Sequence, residues 1–277
     1  MNSQNDNNTY ENNTDNNENL SYDFVSVQDT KEDEKIKREG KNSFVWFCLL
    51  FAILSFLLFT PAFNIKNIVV KESNFITVEQ IIEVSQIVKD RNILSVNTQK
   101  AEERIKKLPL VKEVYIERKF PSTIEITVKE RDKRAYISHM NKYICIDETG
   151  KIVEILNTPS DTNLMIIKNS SPKEFFLGDN VVFKDADKLD ILKEFFKTLD
   201  DNQDMPNKSV GMDLKNKKEI YITLDNDITV NIGDSSNLSY KMAYLKQALL
   251  TQLKTYRGGT LDLSDPENVV RYKGSAQ

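Results

Sequence analysis

The stretch FVWFCLLFAILSFLLFTPAF at residues 44–63 holds twenty consecutive positions without a formal charge, and it divides the chain into two parts. As a helix it would be about 30 Å long, the thickness of the hydrocarbon core of a bilayer. Trp46 and Pro61 lie near its two ends, where an interfacial aromatic residue and a helix-terminating residue fit. We therefore predict one transmembrane helix over residues 44–63.

Two other interpretations fit this stretch less well. A cleaved signal peptide has a shorter apolar core and a small-x-small cleavage site, and here 43 mostly polar residues come first. A buried helix of a soluble domain keeps a polar face, whereas Ser55 and Thr60 are the only polar side chains of this stretch.

The basic residues around the stretch predict its orientation. Five Lys and Arg residues fall within residues 31–41, and only Lys66 and Lys71 follow at a similar distance. Because cytoplasmic flanks carry the excess of Lys and Arg, the N-terminus should be cytoplasmic and the larger C-terminal part extracellular. The chain is thus predicted to be a single-pass protein embedded in the cell membrane.

Residues 1–43 are predicted to be a disordered cytoplasmic tail. Nine of the first twenty residues are Asn, so little apolar surface is available to offset the entropy of ordering. The tail has ten acidic and five basic residues, while the whole chain has a net charge of −4, so the outer part is close to neutral. A nearly neutral outer part lacks the basic face typical of nucleic-acid binding, and no nucleic-acid partner is expected.

The outer part begins with a pattern of the order β-α-α-β-β, which predicts a first domain over residues 64–132. Its last segment alternates apolar and polar side chains, as a half-buried strand does. The predicted elements are a strand at residues 65–70, a helix capped by Thr77, a helix that starts at Asn97 or Thr98 and ends before Pro109, and strands at residues 111–119 and 123–129.

The motif around the last strands carries a family resemblance. The string LPLV at residues 108–111, followed by ERKFPSTIEITVKER at residues 117–131, resembles the POTRA domain of the bacterial cell division proteins of the DivIB/FtsQ family. The position directly behind a single apolar stretch agrees with that family. Ser73 and the pair Asp90-Arg91 stand where the family pattern usually has glycine, which concerns the shape of two turns.

Residues 133–263 are predicted to form a second domain of mixed α/β structure, and residues 264–277 a C-terminal tail. The succession of elements resembles the β-domain that follows POTRA in DivIB/FtsQ. The predicted fold class is α+β: a disordered tail, one transmembrane helix, a POTRA domain and this β-domain. Strands are predicted at residues 135–138, 142–147, 151–156, 164–168, 219–224, 227–232 and 259–263, the last of the chain, and helices at residues 185–199 and 238–253.

The resemblance implies a membrane-anchored, non-catalytic scaffold that acts in septation at the division septum. In the family, the partners are two small single-pass division proteins, FtsL and DivIC/FtsB, and the C-terminal edge of the β-domain receives one of them. A strand with an open edge can accept a partner strand. For Leu261 and Leu263, the alternative is packing in the domain core. The residues expected at this contact are Gly259, Leu261, Leu263, Val269, Val270 and Tyr272.

Few residues of the chain could carry catalysis. His139 is the only histidine, and a pair with Cys145 would need an orienting third group and an oxyanion site. Cys48 and Cys145 lie on different sides of the predicted membrane boundary, so they match neither a disulfide framework nor a zinc site. We expect no enzyme activity, catalytic residue, metal, cofactor or small-molecule substrate. Arg118, Glu130 and Arg131 are expected to be solvated strand-end residues.

Two other functions remain open at this point. One is a membrane-tethered cell-wall enzyme, which wall-hydrolysis or transpeptidase assays would identify. The other is a POTRA-type chaperone for translocated proteins, which binding of unfolded peptides would identify.

Overall fold

The computed structural model describes residues 43–56, 60–267 and 270–274, and the chain divides into two compact units after Leu58. In the first unit, residues 43–56 form helix α1, whose large apolar side chains are exposed. None of the helices within these described ranges combines the length and the mean hydropathy that a bilayer crossing needs. Residues 57–59 of the predicted span, and the predicted tail up to residue 42, lie outside the described residues.

The second unit begins with a small three-stranded sheet. The strand order is β1-β3-β2, with β1 parallel and β2 antiparallel to β3, and the predicted β-α-α-β-β order is confirmed. The elements are β1 (Asn67–Lys71), α2 (Val78–Ser85), α3 (Thr98–Ile105), β2 (Val111–Lys119) and β3 (Thr123–Glu130), with short 3-10 helices at Pro61–Phe63 and Ile93–Ser95.

Local signals explain why these elements form. Thr77 and Gln80 form a capping box at the start of α2, in which each side chain accepts a hydrogen bond from the other residue's main chain. Asn97 caps α3 by accepting the Lys100 N–H at 3.0 Å. The alternation along β3 places one set of side chains in the core together with one face of each helix. The buried residues of this set are Ile81, Ala101, Ile105, Ile124, Ile126 and Val128.

The second domain is built on a nine-stranded sheet. The strand order is β14-β13-β12-β11-β10-β7-β4-β5-β6, and β8 pairs separately with β9. The strands are β4 (Ala135–His139), β5 (Lys142–Ile146), β6 (Ile152–Leu156), β7 (Met165–Lys168), β8 (Pro172–Glu174), β9 (Val182–Phe183), β10 (Ser209–Asn216), β11 (Glu219–Leu224), β12 (Thr229–Gly233), β13 (Thr260–Asp262) and β14 (Arg271–Lys273), and the helices are α4 (Asp187–Asp200) and α5 (Leu238–Leu250).

One hydrophobic core joins the two helices to this sheet. α4 contributes Leu192, Phe195 and Phe196, and the strands contribute every second residue. The apolar face predicted for the last helical segment is confirmed, because all five of its residues are buried. These residues are Leu238, Met242, Leu245, Leu249 and Leu253.

Two strands of this sheet differ from the sequence prediction. β10 lies in the middle of the sheet, where no strand was predicted, because Gly211 and a register shift interrupt its alternation. Residues 259–263 do not hold the last strand, since β14 pairs antiparallel with β13 and extends the sheet to Lys273. The edge of the sheet is therefore one strand farther along the chain than expected.

Candidate partner-binding edge

The last two strands form one end of the nine-stranded sheet. β13 runs parallel to β12, with Leu261 opposite Val230, and β14 runs antiparallel to β13, with Tyr272 opposite Leu261. Among the described residues, no strand pairs with the outer side of β14. The main-chain groups on that side can therefore bond to an additional strand.

A double-glycine turn leads the chain into β13. Gly258 and Gly259 have φ angles of +69° and +92°, a region that residues with a Cβ rarely adopt. A Cβ atom at Gly259 would lie 2.6 Å from the Lys273 carbonyl oxygen and 2.7 Å from the Tyr272 hydroxyl. Glycine is therefore required at residue 259 for β14 to close against the start of β13.

Two contacts hold Tyr272 in place at this edge. Its hydroxyl donates to the Gly258 carbonyl at 2.8 Å, and its ring meets Tyr256 edge-on with centroids 5.2 Å apart. Tyr272 is partly buried against the domain core, whereas Tyr256 is exposed. The pair thus links the core to an aromatic surface beside the open strand.

The residues expected at the contact have different surroundings. Leu261 and Leu263 are buried in the core at 2% and 0% exposure, so the core-packing alternative applies to them. Val270 and Tyr272 pack on that core and remain partly exposed. Val269 lies outside the described residues.

The edge is flanked by positive charges that the sequence prediction did not single out. Arg271 and Lys273 on β14, and Lys254 and Arg257 before the glycine turn, are all exposed. Within the part of the chain that the structure describes, none of the four forms an ion pair. The spacing of Arg271 and Lys273 along β14 indicates a cationic edge only when β14 is known to be the last strand of the sheet. Unpaired cations beside an open strand favour a partner segment with acidic side chains.

A compact junction holds the first domain against the second. Leu110, just before β2, packs on Tyr136, Cys145 and Val153, which lie on the sheet face opposite the helices. This apolar contact crosses the boundary between the two predicted domains, so the first domain and the sheet are packed together.

Three side chains expected to be solvated are instead engaged. The Glu130 carboxylate accepts hydrogen bonds from the main chain of the loop before α2, at 2.9–3.1 Å. Arg118 donates to two carbonyls of the segment before α3, at 3.1 and 2.6 Å. Arg131 pairs with the buried Asp147 of the second domain. Their roles depend on partners distant in sequence, which a local pattern does not reveal.

His139 and Cys145 are not brought together. His139 is opposite Lys142, and its ring contacts Phe175. Cys145 is opposite Tyr136, which lies three positions, or about 10 Å, from His139 along β4. Burial raises the pKa of the Cys145 thiol to about 12, so the thiol stays protonated and weakly nucleophilic at neutral pH. In the described ranges, no group of His, Cys, Asp and Glu side chains is arranged to hold a metal ion.

Comparison with known proteins identifies a family whose members this chain resembles. Two family models match, a POTRA domain of FtsQ type over residues 63–131 and the C-terminal region of the cell division protein FtsQ/DivIB over residues 135–264. The chain is 30% identical over 256 residues to the cell division protein DivIB of Clostridium botulinum (strain Hall), covering 91% of this chain and 99% of that relative. It is 29% identical over 210 residues to DivIB of Clostridium acetobutylicum, covering 76% and 83%. It is 35% identical over 101 residues to the cell division protein FtsQ of Corynebacterium glutamicum, covering 36% and 45%.

Proposed function

The chain belongs to the FtsQ/DivIB family of cell division proteins, and from that premise we propose that it is a membrane-anchored, non-catalytic scaffold of septation. The similarity extends over both outer domains and not over one module alone. In this role the protein holds other division proteins at the septum and converts no substrate.

The proposed anchor is the stretch at residues 44–63. Its twenty uncharged positions and the helix over residues 43–56, with exposed apolar side chains, support this assignment. The Lys and Arg residues at 31–41 support a cytoplasmic N-terminus and an extracellular C-terminal part. Anchoring in one membrane raises the effective concentration of partners anchored in the same membrane.

The proposed partners are an FtsL-like and a DivIC/FtsB-like division protein. The observation that carries this proposal is the open outer side of β14, to which an extended segment of one partner can add as a further strand. Main-chain hydrogen bonds would supply affinity, and Arg271 and Lys273 would select a segment with acidic side chains.

A charge-reversal experiment tests the edge. Of the two proposed partners, the one whose extracellular segment binds the unaltered chain should bind the full chain carrying Arg271→Glu and Lys273→Glu at least about tenfold more weakly, because like charges then face each other. Both side chains are exposed, so the fold should persist, which circular dichroism verifies.

A matched control makes the same change of charge elsewhere. Lys193 and Lys197 are exposed on α4, and their replacement by Glu should leave the affinity for the partner segment unchanged. If the Arg271/Lys273 variant stays folded and binds as tightly as the Lys193/Lys197 variant, the edge is not the contact.

A second experiment tests the septal role in cells. A fluorescent fusion of the full chain should form a band at midcell in dividing cells. A uniform signal around the cell periphery, from a fusion that supports growth, would contradict the septal role.

A further inference from the structure

The first residues of the POTRA domain are bonded to two loops at one end of that domain. The Ile65 N–H donates to the Arg91 carbonyl at 2.9 Å, and the Asp90 N–H donates back to the Ile65 carbonyl at 2.9 Å. The Lys66 N–H donates to the Ser122 carbonyl at 2.8 Å. The loop before α3 and the tip of the β2–β3 hairpin therefore lie beside the point where the chain enters the domain.

In the sequence, the proposed anchor runs directly into this end of the domain. Phe63 is the last residue of the proposed span, and Ile65, two residues later, is fully buried in the POTRA core. Two residues reach at most about 7 Å. If the anchor is in the bilayer, the residues around Ile65 lie at the headgroup region, within a Debye length of about 8–10 Å of the lipid phosphates.

Cationic and apolar side chains are exposed at this end. Lys66, Lys89 and Arg91 are exposed and form no ion pair with any described residue. Leu94 is 44% exposed, and Phe120, at the hairpin tip, is 58% exposed with its ring edge-on to Phe63 at 6.3 Å. We call Lys66, Lys89, Arg91, Leu94 and Phe120 the anchor-proximal face. Basic side chains beside exposed apolar ones are the composition of surfaces that dock on anionic bilayers.

The carboxylates near this face leave an excess of positive charge. Asp90 is exposed between Lys89 and Arg91, and it is the carboxylate of that loop. The Glu117 carboxylate forms an ion pair with Lys119, whose Nζ lies 2.5 Å from Glu117 Oε2.

Arg91 also lines a polar depression beside the anchor-proximal face. Lys100 and Arg104 line the same depression, and no carboxylate is among its lining residues. Arg104 uses one nitrogen to donate to the Ser85 carbonyl at 3.1 Å. The positive charge thus continues from the face into a concave site, where a phosphate oxygen would meet donors and no competing acid.

We propose that the anchor-proximal face docks on the bilayer surface, with Phe120 and Leu94 in the interface and Lys66, Lys89 and Arg91 on the phosphates of anionic phospholipids. This inference rests on the proposed anchor, because only an anchored chain brings the face to the membrane. Docking would hold the POTRA domain at a fixed orientation to the membrane and so set the height of β14 above it.

A single-tryptophan reporter tests the docking in the full chain reconstituted into vesicles. Trp46 is replaced by Phe and Phe120 by Trp, and emission is measured with bilayers of brominated phosphatidylglycerol or brominated phosphatidylcholine. Trp at residue 120 should be quenched about twofold or more in the phosphatidylglycerol bilayer, with less quenching in phosphatidylcholine. The control places the reporter at Phe176, which is 65% exposed in the second domain, and this reporter should not be quenched.

Charge neutralisation then tests the role of the cations. Changing Lys66, Lys89 and Arg91 to Gln should abolish the difference between the two lipids at residue 120. The same change at Lys193, Lys197 and Lys218, which are exposed on the second domain, should not alter it.

Two outcomes separate this inference from the proposed anchor. A chain that carbonate extracts from the vesicles has no membrane anchor, which overturns both proposals. A chain that resists extraction, yet shows no quenching at residue 120 or equal quenching in both lipids, overturns the anionic-lipid docking alone.

Discussion

Arg131 Nη1 lies 2.7 Å from Asp147 Oδ2, and this ion pair joins the end of β3 in the POTRA domain to the second domain. The Asp147 side chain is 0% exposed and that of Arg131 16%. The other oxygen of Asp147 accepts the main-chain N–H and the hydroxyl of Thr149 at 2.8 and 2.7 Å, and the Lys151 N–H at 2.9 Å. The pair therefore ties the domain boundary to a residue that also organises the turn between β5 and β6.

Replacing Arg131 with Ala should lower the free energy of unfolding by about 3–5 kcal/mol, because it leaves a buried carboxylate without its cation. Urea denaturation followed by circular dichroism measures this loss. The control is Lys112→Ala, which removes a 2.8 Å pair with Glu148 whose side chains are 35% and 30% exposed. The control should cost less than about 1 kcal/mol, and equal losses in the two variants would contradict a special role for Arg131.

The same carboxyl predicts a dependence of stability on pH. Burial acts to raise the pKa of Asp147, but the bonds from Thr149, Lys151 and Arg131 outweigh it, and the pKa is lowered. A carboxyl with a lowered folded pKa stabilises the fold above its unfolded pKa of about 4, and this contribution is lost as the pH falls through the folded pKa. The stability difference between the unaltered chain and Asp147→Asn should therefore be constant above about pH 5 and shrink below about pH 4. Urea unfolding across this range measures it, and a difference that does not shrink would refute the assignment.

The periodic spacing of apolar residues was sufficient to predict those elements in which the apolar positions are also the buried ones. Along β3, Ile124, Ile126 and Val128 alternate with polar residues and all three are fully buried. β10 and β14 lack such a signal. β10 contains Gly211 and a register shift, and β14 has three residues with only Tyr272 partly buried. The strand order of the sheet also depends on pairings between distant segments, which a local pattern does not contain.

The candidate site was predictable as a region and not residue by residue. Leu261 and Leu263 are two residues apart, the spacing of one strand face, and this pattern suits a core as well as a contact surface. Their burial depends on α5 and β12, which pack on the same core from elsewhere in the chain. Glu130 resembled a solvated strand end because the main-chain groups it binds lie 54–56 residues away in sequence.

Glu130 should be needed for the loop that precedes α2. Replacing Glu130 with Gln turns one acceptor oxygen into a donor that faces main-chain N–H groups, and the loss should be about 1.5–3 kcal/mol of unfolding free energy. Hydrogen exchange should show faster amides at Phe75 and Ile76, which donate to this carboxylate. The control Glu117→Gln alters an exposed carboxylate and should leave both amides unchanged. Equal exchange in the two variants would count against the assigned bonds.

The Cys145 thiol should resist alkylation in the folded protein. It is fully buried, and burial raises its pKa to about 12, so neither access nor the thiolate form is available at neutral pH. Cys48 is exposed, so the test uses a Cys48→Ser chain in which Cys145 is the remaining cysteine. Iodoacetamide followed by mass spectrometry should show labelling only after denaturation. Rapid labelling of the native chain would mean that the cluster of Tyr136, Cys145 and Val153, on which Leu110 packs, is open to solvent.

Gly259→Ala should loosen the sheet edge on which the proposed contact depends. The positive φ and the 2.6 Å approach to the Lys273 carbonyl oxygen leave no room for a methyl group, so β14 has to move away from β13. We expect a loss of about 1–3 kcal/mol, faster amide exchange in β13 and β14, and weaker binding of the partner segment. Hydrogen exchange and a binding titration on the same preparation measure these effects.

Gly274→Ala provides the matched control for this last substitution. Gly274 is exposed directly after β14, and an added Cβ would lie 3.9 Å from its nearest neighbour, the Tyr272 ring, which is an ordinary contact. This variant should keep both the exchange protection of β14 and the affinity for the partner. Because the two variants add the same methyl group fifteen residues apart in sequence, a difference between them isolates the closure of β14 against β13. If Gly259→Ala keeps the protection of Gly274→Ala and still loses the partner, the glycine turn itself and not the strand edge makes the contact.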